Sequence, residues 1–534
     1  MTVLRSAVRS RPAVLGRSLV AAAALTVLAA STAVPGASAN VLTAGTQVHV
    51  PDHPWAGTST ACDNQIAFQE SKGSINYPDT EVEPYVAADP SNSAHLVAAF
   101  QQDRWNDGGD NGNVAVVSND GGATWALSSS QAKYTICEGG SLDRASDPSV
   151  AFSSDGSTVY QAALAFNADG PAFGGTSSVQ VSRSTDGGNT WNTPVVVRED
   201  TSTTVLNDKE WVTADPTNSS KAYLVWDRLV SPSSHSNPGA YAHVFAYRGP
   251  ALFSETIDGG KSWSASKTIY DPGEYNQTID NEIVAPAAGP AKGDLLDGFV
   301  LILNKGGKGN NERSAYYLAM LRSTDGGATW SGPTIISPLD VAEAGSLDGQ
   351  PYRTGDTIPQ FTSDPSNGNL YVAWQDGRFS SSGQPKIAFS ESTTGGKTWT
   401  TPVQIDDAPA GAEAFTPQIV INSGGTIGVA YYDNENASVA NPGYTDEYMV
   451  HCHASSDDCT KRASWTEWGE THLNSASFDM TTAPNAGGYF TGDYEGLTTS
   501  GTTFDPFFVM ARPDATACAS PTAACTDPFA NTAG

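Results

Sequence analysis

The chain is predicted to be all-β: a propeller of four-stranded antiparallel blades, seven of them, with six as the alternative. Three observations carry this. A turn motif ending in tryptophan recurs along the chain. A second pattern, two short apolar runs joined by Asp-Pro, recurs between its copies. Charged residues are only 16 %, while Gly (52) and Pro (32) are abundant, which excludes a coiled coil or a charge-rich disordered chain.

The turn motif reads Ser118-Asn119-Asp120-Gly121-Gly122-Ala123-Thr124-Trp125. It returns at Ser184–Trp191, Thr256–Trp263 and Ser323–Trp330. A fifth copy, Ser392–Trp399, has Thr394 in place of the Asp, and a sixth is nearly erased before Trp465. Asp-Gly-Gly is hairpin chemistry, because glycine supplies positive φ and Asp accepts turn N–H groups. The Trp opens the next strand and can wedge into an apolar seam. Upstream, Pro84–Pro90 precedes Leu96–Phe100, Glu210–Pro216 precedes Ala222–Trp226, and Pro359–Pro365 precedes Leu370–Trp374. Asp-Pro-Ser/Thr-Asn between such runs is a type I turn. One unit is thus four strands. Units start near Pro84, Pro148, Glu210, Glu282, Pro359, Pro417 and Tyr494. The last runs out before completing a blade, so the N-terminal segment is expected to donate its missing strand. Residues 40–534 are read as one domain.

Residues 1–39 hold four arginines, no acids, the apolar run Leu19–Val34 and then Ala37-Ser38-Ala39. This is the pattern of a signal peptide, and the protein is expected to be secreted. Six cysteines then suit an oxidising compartment. The local pairs Cys452–Cys459 and Cys518–Cys525 are favoured, leaving Cys62–Cys137 as the long bridge. The net charge of −29 disfavours nucleic acid and anionic membranes as partners. No later stretch is long and apolar enough for membrane insertion. A monomer is expected.

The string S-x-D-x-G-x-x-W resembles the Asp box, or BNR repeat, of sialidases and related propeller proteins. Gln102-Asp103-Arg104-Trp105 and Gly492-Asp493-Tyr494-Glu495-Gly496-Leu497 resemble segments of secreted bacterial sialidase-like proteins. The chain departs from that family in two ways. It has no Arg-Ile-Pro, Thr357-Ile358-Pro359 being nearest, and its blade count exceeds the family's usual six.

Alternating strand direction puts inner-strand starts and second-strand ends on one face, with the Asp-Gly-Gly turns on the other. Arginines recur at second-strand ends: Arg104, Arg228, Arg378 and Arg512, beside Asp103, Asp227, Asp376 and Asp514. Acids recur at inner-strand starts: Glu83, Asp147, Asp208, Glu210, Asp280, Glu282, Asp356, Asp493 and Glu495. Guanidinium forks suit a carboxylate, and paired carboxylates suit acid–base chemistry on glycosides. The expected function is therefore a glycoside hydrolase on extracellular glycans, with an acidic sugar as substrate. In this reading Arg104, Arg228, Arg378 and Arg512 bind substrate and Trp105 and Trp211 stack on sugar. The resemblance implies Tyr494 as nucleophile, with Glu83 or Glu495 activating it and Asp103 or Asp107 as general acid. No cofactor is required, although the oxygen-rich loop Asp107–Asn113 could take calcium. The rival readings are a non-catalytic carbohydrate- or protein-binding propeller and a polysaccharide lyase. The alternative in which each Asp–Arg pair is a structural ion pair also stands.

Overall fold

A computed structural model describes residues 45–48, 50, 54–55, 59–231, 248–304, 314–512 and 525–534. The expected signal peptide and Cys518 lie outside the described residues. Among those residues the chain forms seven antiparallel blades of four strands, six of them in chain order, with a short fifth strand added to blade 6. This is the seven-bladed count made from the motif spacing. The inner strands are Glu81–Asp89, Arg144–Phe152, Val205–Ala214, Asn276–Val284, Gln360–Ser363, Ala414–Ile421 and Gly496–Ser500. The ring closes through the chain's beginning. Thr46–Gln47 forms the outer strand of blade 7, with Thr46 opposite Ala530 and Gln47 opposite Phe529.

The repeated string makes the same turn each time. Ser118 Oγ accepts from Gly122 N (2.9 Å), and Asp120 accepts from Thr124 N (2.8 Å) and Thr124 Oγ1 (2.6 Å). Asp186, Asp258 and Asp325 repeat these bonds with Thr190, Ser262 and Thr329. In the fifth copy the Thr394 hydroxyl takes over, accepting from Thr398 N at 2.9 Å. One acceptor oxygen therefore suffices to hold the turn.

The tryptophans lock the seams. Trp125 meets Phe507 of blade 7 at 5.0 Å between ring centroids, and Trp263 meets Tyr160 of blade 2 at 6.4 Å. Trp330 meets Phe253 of blade 3 at 5.5 Å, and Trp465 meets Phe389 of blade 5 at 4.9 Å. Each ring thus reaches back to the preceding blade. The buried side chains form clusters that straddle adjacent blades, as where blade 5 and blade 6 share Tyr371, Phe389, Ile419 and Tyr431. Burial of such apolar area is the dominant favourable term for a fold of this kind.

Disulfides join Cys62 to Cys137 and Cys452 to Cys459, as read from the sequence. The first ties the helix Thr60–Ser71 to the segment after blade 1. Ser59 caps this helix, its Oγ accepting from Ala61 N and Cys62 N. Among the described residues no helix is long and apolar enough to cross a membrane.

Seam packing leaves no room at certain glycines. A Cβ on Gly298 of blade 4 would lie 2.4 Å from the ring of Phe361 of blade 5. Gly298→Ala is expected to destabilise the protein by roughly 1–3 kcal/mol through overpacking. Chemical denaturation against the parent checks this.

Candidate functional site

The site begins with a backbone irregularity repeated round the ring. Inner-strand pairing skips a step between Val82 and Tyr85, Ser146 and Ser149, Asp208 and Trp211, Ile279 and Glu282, and Phe415 and Gln418. At each skip one residue has positive φ: Glu83 (51°), Asp147 (51°), Lys209 (52°), Asp280 (58°) and Thr416 (51°). Such bulges turn a side chain out of the pleat, and the left-handed backbone of a non-glycine residue costs about 1 kcal/mol or more. Counting back from the first paired residue places Tyr494 of blade 7 at the same step. The bulges therefore gather side chains from separate blades at the ring's centre.

Lys209 stands at the middle of this group and is buried. Its Nζ lies 2.8 Å from Asp493 Oδ2, 3.4 Å from Asp147 Oδ1 and 3.6 Å from Glu83 Oε1. Burial works to strip its proton, but Asp147, Asp493 and Glu83 together hold its pKa well above the ordinary lysine value. Burial likewise opposes charge on Asp147, yet Lys209, a hydrogen bond from Glu83 and Arg104 bring it down to about 2. Glu83 goes the other way: burial, then Asp147, push it well up. Glu83 is thus the protonated member of the pair and Asp147 the ionised one.

Two inserted segments roof the centre. One lies between blades 4 and 5, the other between blades 6 and 7. They join by a short parallel pairing, Tyr352 with Tyr489 and Arg353 with Phe490. Arg353 grips Asp493 with both arms of its fork, at 3.0 and 2.6 Å. Its guanidinium also sits 4.4 Å from the Phe490 ring centroid, and Arg104 lies 4.9 Å from the same ring. Burial first, and then the neighbouring Arg353, lower the pKa of Arg104. Arg104 donates to Gln101 Oε1 at 2.5 Å.

These groups border a cavity of about 610 Å³. Its charged wall includes Arg104, Arg144, Lys209 and Arg353 with Asp107, Asp147, Asp208, Glu343, Asp356 and Asp493. Its apolar wall is Leu164, Phe166, Phe173 and Leu206. Asp356 is the carboxyl tuned nearest to neutrality, pushed up to about 7 by burial, Asp493 and Glu343. The cavity therefore holds one carboxyl kept ionised and another poised to give up a proton near pH 7, the arrangement that separates acid from base roles.

Of the residues given roles from sequence, Arg104 and Asp107 line this cavity, as do four of the inner-strand acids, Asp147, Asp208, Asp356 and Asp493. Tyr494 and Trp211 line a much smaller one beneath it, and Glu83 contacts Lys209 between them. Tyr494 is buried, its hydroxyl donates to Pro148 O at 3.0 Å, and burial with Glu83 and Asp147 drives its pKa well up. Those conditions oppose a phenolate nucleophile. Trp211 packs edge-on between Tyr85 (4.7 Å) and Tyr494 (5.9 Å). Trp105 is buried under Arg144, 4.6 Å from ring centroid to guanidinium. Asp103 is buried and accepts from Asp79 N at 2.9 Å.

The remaining arginines do not line the cavity. Arg228 forks onto Asp200 (3.0 and 2.8 Å), Arg378 onto Asp376 (2.8 and 2.6 Å), and Arg512 pairs with Asp527 at 3.2 Å. Each is held by a carboxylate: Arg228 by one from the outer strand of blade 2, Arg378 and Arg512 by one of their own blade, and only Arg378 uses the Asp beside it in the repeat. Asp227 turns instead to the blade 4 bulge, accepting from Thr278 Oγ1 (2.7 Å), Asp280 N (2.8 Å) and Asn281 Nδ2 (2.6 Å). In the Asp107–Asn113 loop, Asp107 is bound by Arg144 at 2.6 Å and by Ser74, and Asn111 accepts from Trp105 Nε1. These contacts brace the loop rather than present an oxygen cage.

Sequence reading passed over Lys209, Arg144 and Arg353. Lys209 stands between Asp208 and Glu210 at an inner-strand start, so its position in the repeat carried the signal. Arg144 opens the inner strand of blade 2 in the same manner. Arg353 lies in an insertion outside the repeat, where periodicity says nothing.

No protein-family model and no curated protein matches the chain. Solved structures do resemble it. The α-L-arabinofuranosidase of Fusarium graminearum is 13 % identical over 73 % of this chain and 92 % of its own, with a TM-score of 0.43. The Hadza microbial sialidase Hz136 is 14 % identical over 73 % and 66 %, with a TM-score of 0.44. A polysaccharide lyase of an ulvan lyase family is 12 % identical over 66 % and 76 %, with a TM-score of 0.41. The likeness is one of fold.

Glu495 lies away from the cavity, fully buried against Glu447 between blades 6 and 7. Burial pushes Glu495 from its ordinary 4.5 up to about 8, so the folded pair keeps a proton that the unfolded chain releases near 4.5. Its contribution is present below about 4.5 and is lost as pH rises through about 8. The urea midpoint should fall across that window, and Glu495→Gln should flatten the fall.

Proposed function

We propose that this is a secreted carbohydrate-active propeller whose central cavity binds an anionic sugar residue and hydrolyses its glycosidic bond. The observation that carries the reading is the pair of arginines, Arg104 and Arg353, facing one aromatic ring at the wall of a cavity that also holds Asp356. Asp493 answers Arg353, whereas Arg104 donates to the neutral Gln101, so a substrate carboxylate beside Arg104 relieves the repulsion between the two guanidiniums with a charge-assisted hydrogen bond. The cavity volume suits one or two sugar units. Disulfides in the fold support an extracellular setting.

In this mechanism Arg104 holds the substrate carboxylate, and Arg353, anchored on Asp493, adds positive charge beside it. Asp356 protonates the departing glycosidic oxygen as the bond to the anomeric carbon breaks. Asp147, held ionised by Lys209, stabilises the positive charge that develops on the sugar; water adds to the anomeric carbon, and the proton it loses passes through solvent to restore Asp356. Leu164, Phe166 and Phe173 give the apolar wall against which an uncharged part of the substrate rests. Sialic acid is one member of the substrate class. The sialidase-type tyrosine step has no support in the position of Tyr494.

The test is release of 4-methylumbelliferone from its sialic acid and uronic acid conjugates. Turnover is expected on at least one, with Arg353→Ala and Arg104→Ala each lowering kcat/KM by about 10- to 100-fold. The rival reading, glycan binding without turnover, predicts retention on an anionic glycan array and no release from any conjugate. Lack of both release and retention would overturn the proposal. For the acid role, kcat/KM should decline as pH rises above about 7, where Asp356 loses its proton. Asp356→Asn should remove that limb and lower kcat by about 100-fold or more.

A further inference from the structure

We propose a calcium site on blade 6, formed by Asp433, Glu435 and Glu470 and separate from the central cavity. Each of the three offers a carboxylate oxygen, and these oxygens all lie within 4.8 Å of one another. Oxygens that share a calcium ion at about 2.4 Å stand up to about 4.8 Å apart, so one ion can touch all three.

A second observation points to a ligand there. Asp433, the last residue of the strand Thr426–Asp433, is fully buried. Its Oδ1 accepts from Glu435 N at 3.0 Å, while its enclosed Oδ2 has no hydrogen-bond partner. A buried carboxylate oxygen without donor or cation is strongly disfavoured. The other two carboxylates are each steered by a tyrosine. Tyr448 Oη donates to Glu435 Oε1 at 2.7 Å, and Tyr431 Oη donates to Glu470 Oε2 at 2.6 Å. Each acid thus has one oxygen fixed by the protein and another left over. His472, which feels Glu435, is bound to Asp446 at 3.0 Å, and Lys386 and Arg462 pair with Asp406 and Asp407.

The donor set consists of hard oxygens alone, which selects calcium or magnesium over softer metals. Three carboxylates, one at a strand end and two in adjoining loops, favour calcium, because magnesium demands near-octahedral geometry and keeps its waters. The site has a structural consequence. Asn434, next to Asp433, accepts from Glu413 N (2.7 Å) and donates to Gly345 O (3.2 Å). Gly345 belongs to the insertion that carries Arg353, so an ion here would brace that insertion against blade 6.

The experiment is calorimetric titration of the purified, EDTA-treated protein with calcium chloride, with magnesium chloride as comparison and thermal melting alongside. One calcium per chain is expected, tighter than magnesium and with a raised Tm. Asp433→Asn and Glu435→Gln should each weaken calcium binding by at least about tenfold while leaving the far-ultraviolet circular dichroism unchanged. Glu435 is only half-buried, so Glu435→Gln decides the matter if Asp433→Asn fails to fold. No calcium response up to about 10 mM, or binding undiminished by Glu435→Gln, would overturn the site.

Discussion

One buried ammonium organises the centre of this molecule. Lys209 reaches it from blade 3, Glu83 from blade 1, Asp147 from blade 2 and Asp493 from the approach to blade 7. Three carboxylates at that density repel one another, and three desolvated anions would not remain together. The lysine supplies the opposing charge, and the protonated Glu83 removes one of the negative charges. Breaking such a buried network by removing a single partner typically costs about 3–5 kcal/mol, because it leaves an uncompensated charge behind. The ring's centre is therefore a charge arrangement as much as a packing arrangement.

Everything above that centre depends on it. Asp493 answers two cations at once, Lys209 below and Arg353 above. Arg353 in turn settles on Phe490, where Arg104 also stands. Lys209 heads the neighbours that hold Asp147 ionised against its burial, while burial and then Asp493 raise the proton affinity of Asp356. A change at Lys209 thus reaches the cavity wall through direct contacts.

The local geometry that permits this is the bulge at the start of the inner strands. Regular pleating would direct alternate side chains between the blades. The bulge adds a residue, places it in the left-handed region and frees its side chain from the seam. The opposite face is governed by the Asp-Gly-Gly turns and their tryptophans, which carry stability rather than chemistry. Separation of the two duties lets the charged face depart from the repeat without loss of the ring.

The architecture was legible in the sequence because it is built from local, repeated chemistry. Turn, strand and seam tryptophan recur within each unit of about 70 residues, and a unit cannot bury its faces without a neighbour. Blade count and ring closure by the N-terminal segment follow from that, whereas the pairing of Cys62 with Cys137 was what the two local cysteine spacings left over. The acids at inner-strand starts were legible for the same reason. Which cations answer them was not. Arg104, Arg228, Arg378 and Arg512 are alike in sequence, each at a second-strand end beside an Asp. Asp200, Asp376 and Asp527 hold three of them, and only Arg104 borders the cavity. Arg353 comes from an insertion with no counterpart in other blades. The pairing of Arg353 with Asp493 joins segments 140 residues apart, and the partners of Arg228 and Arg512 lie outside the repeated Asp–Arg string. Spacing along a chain carries no information about such contacts, so only the closed ring decided them.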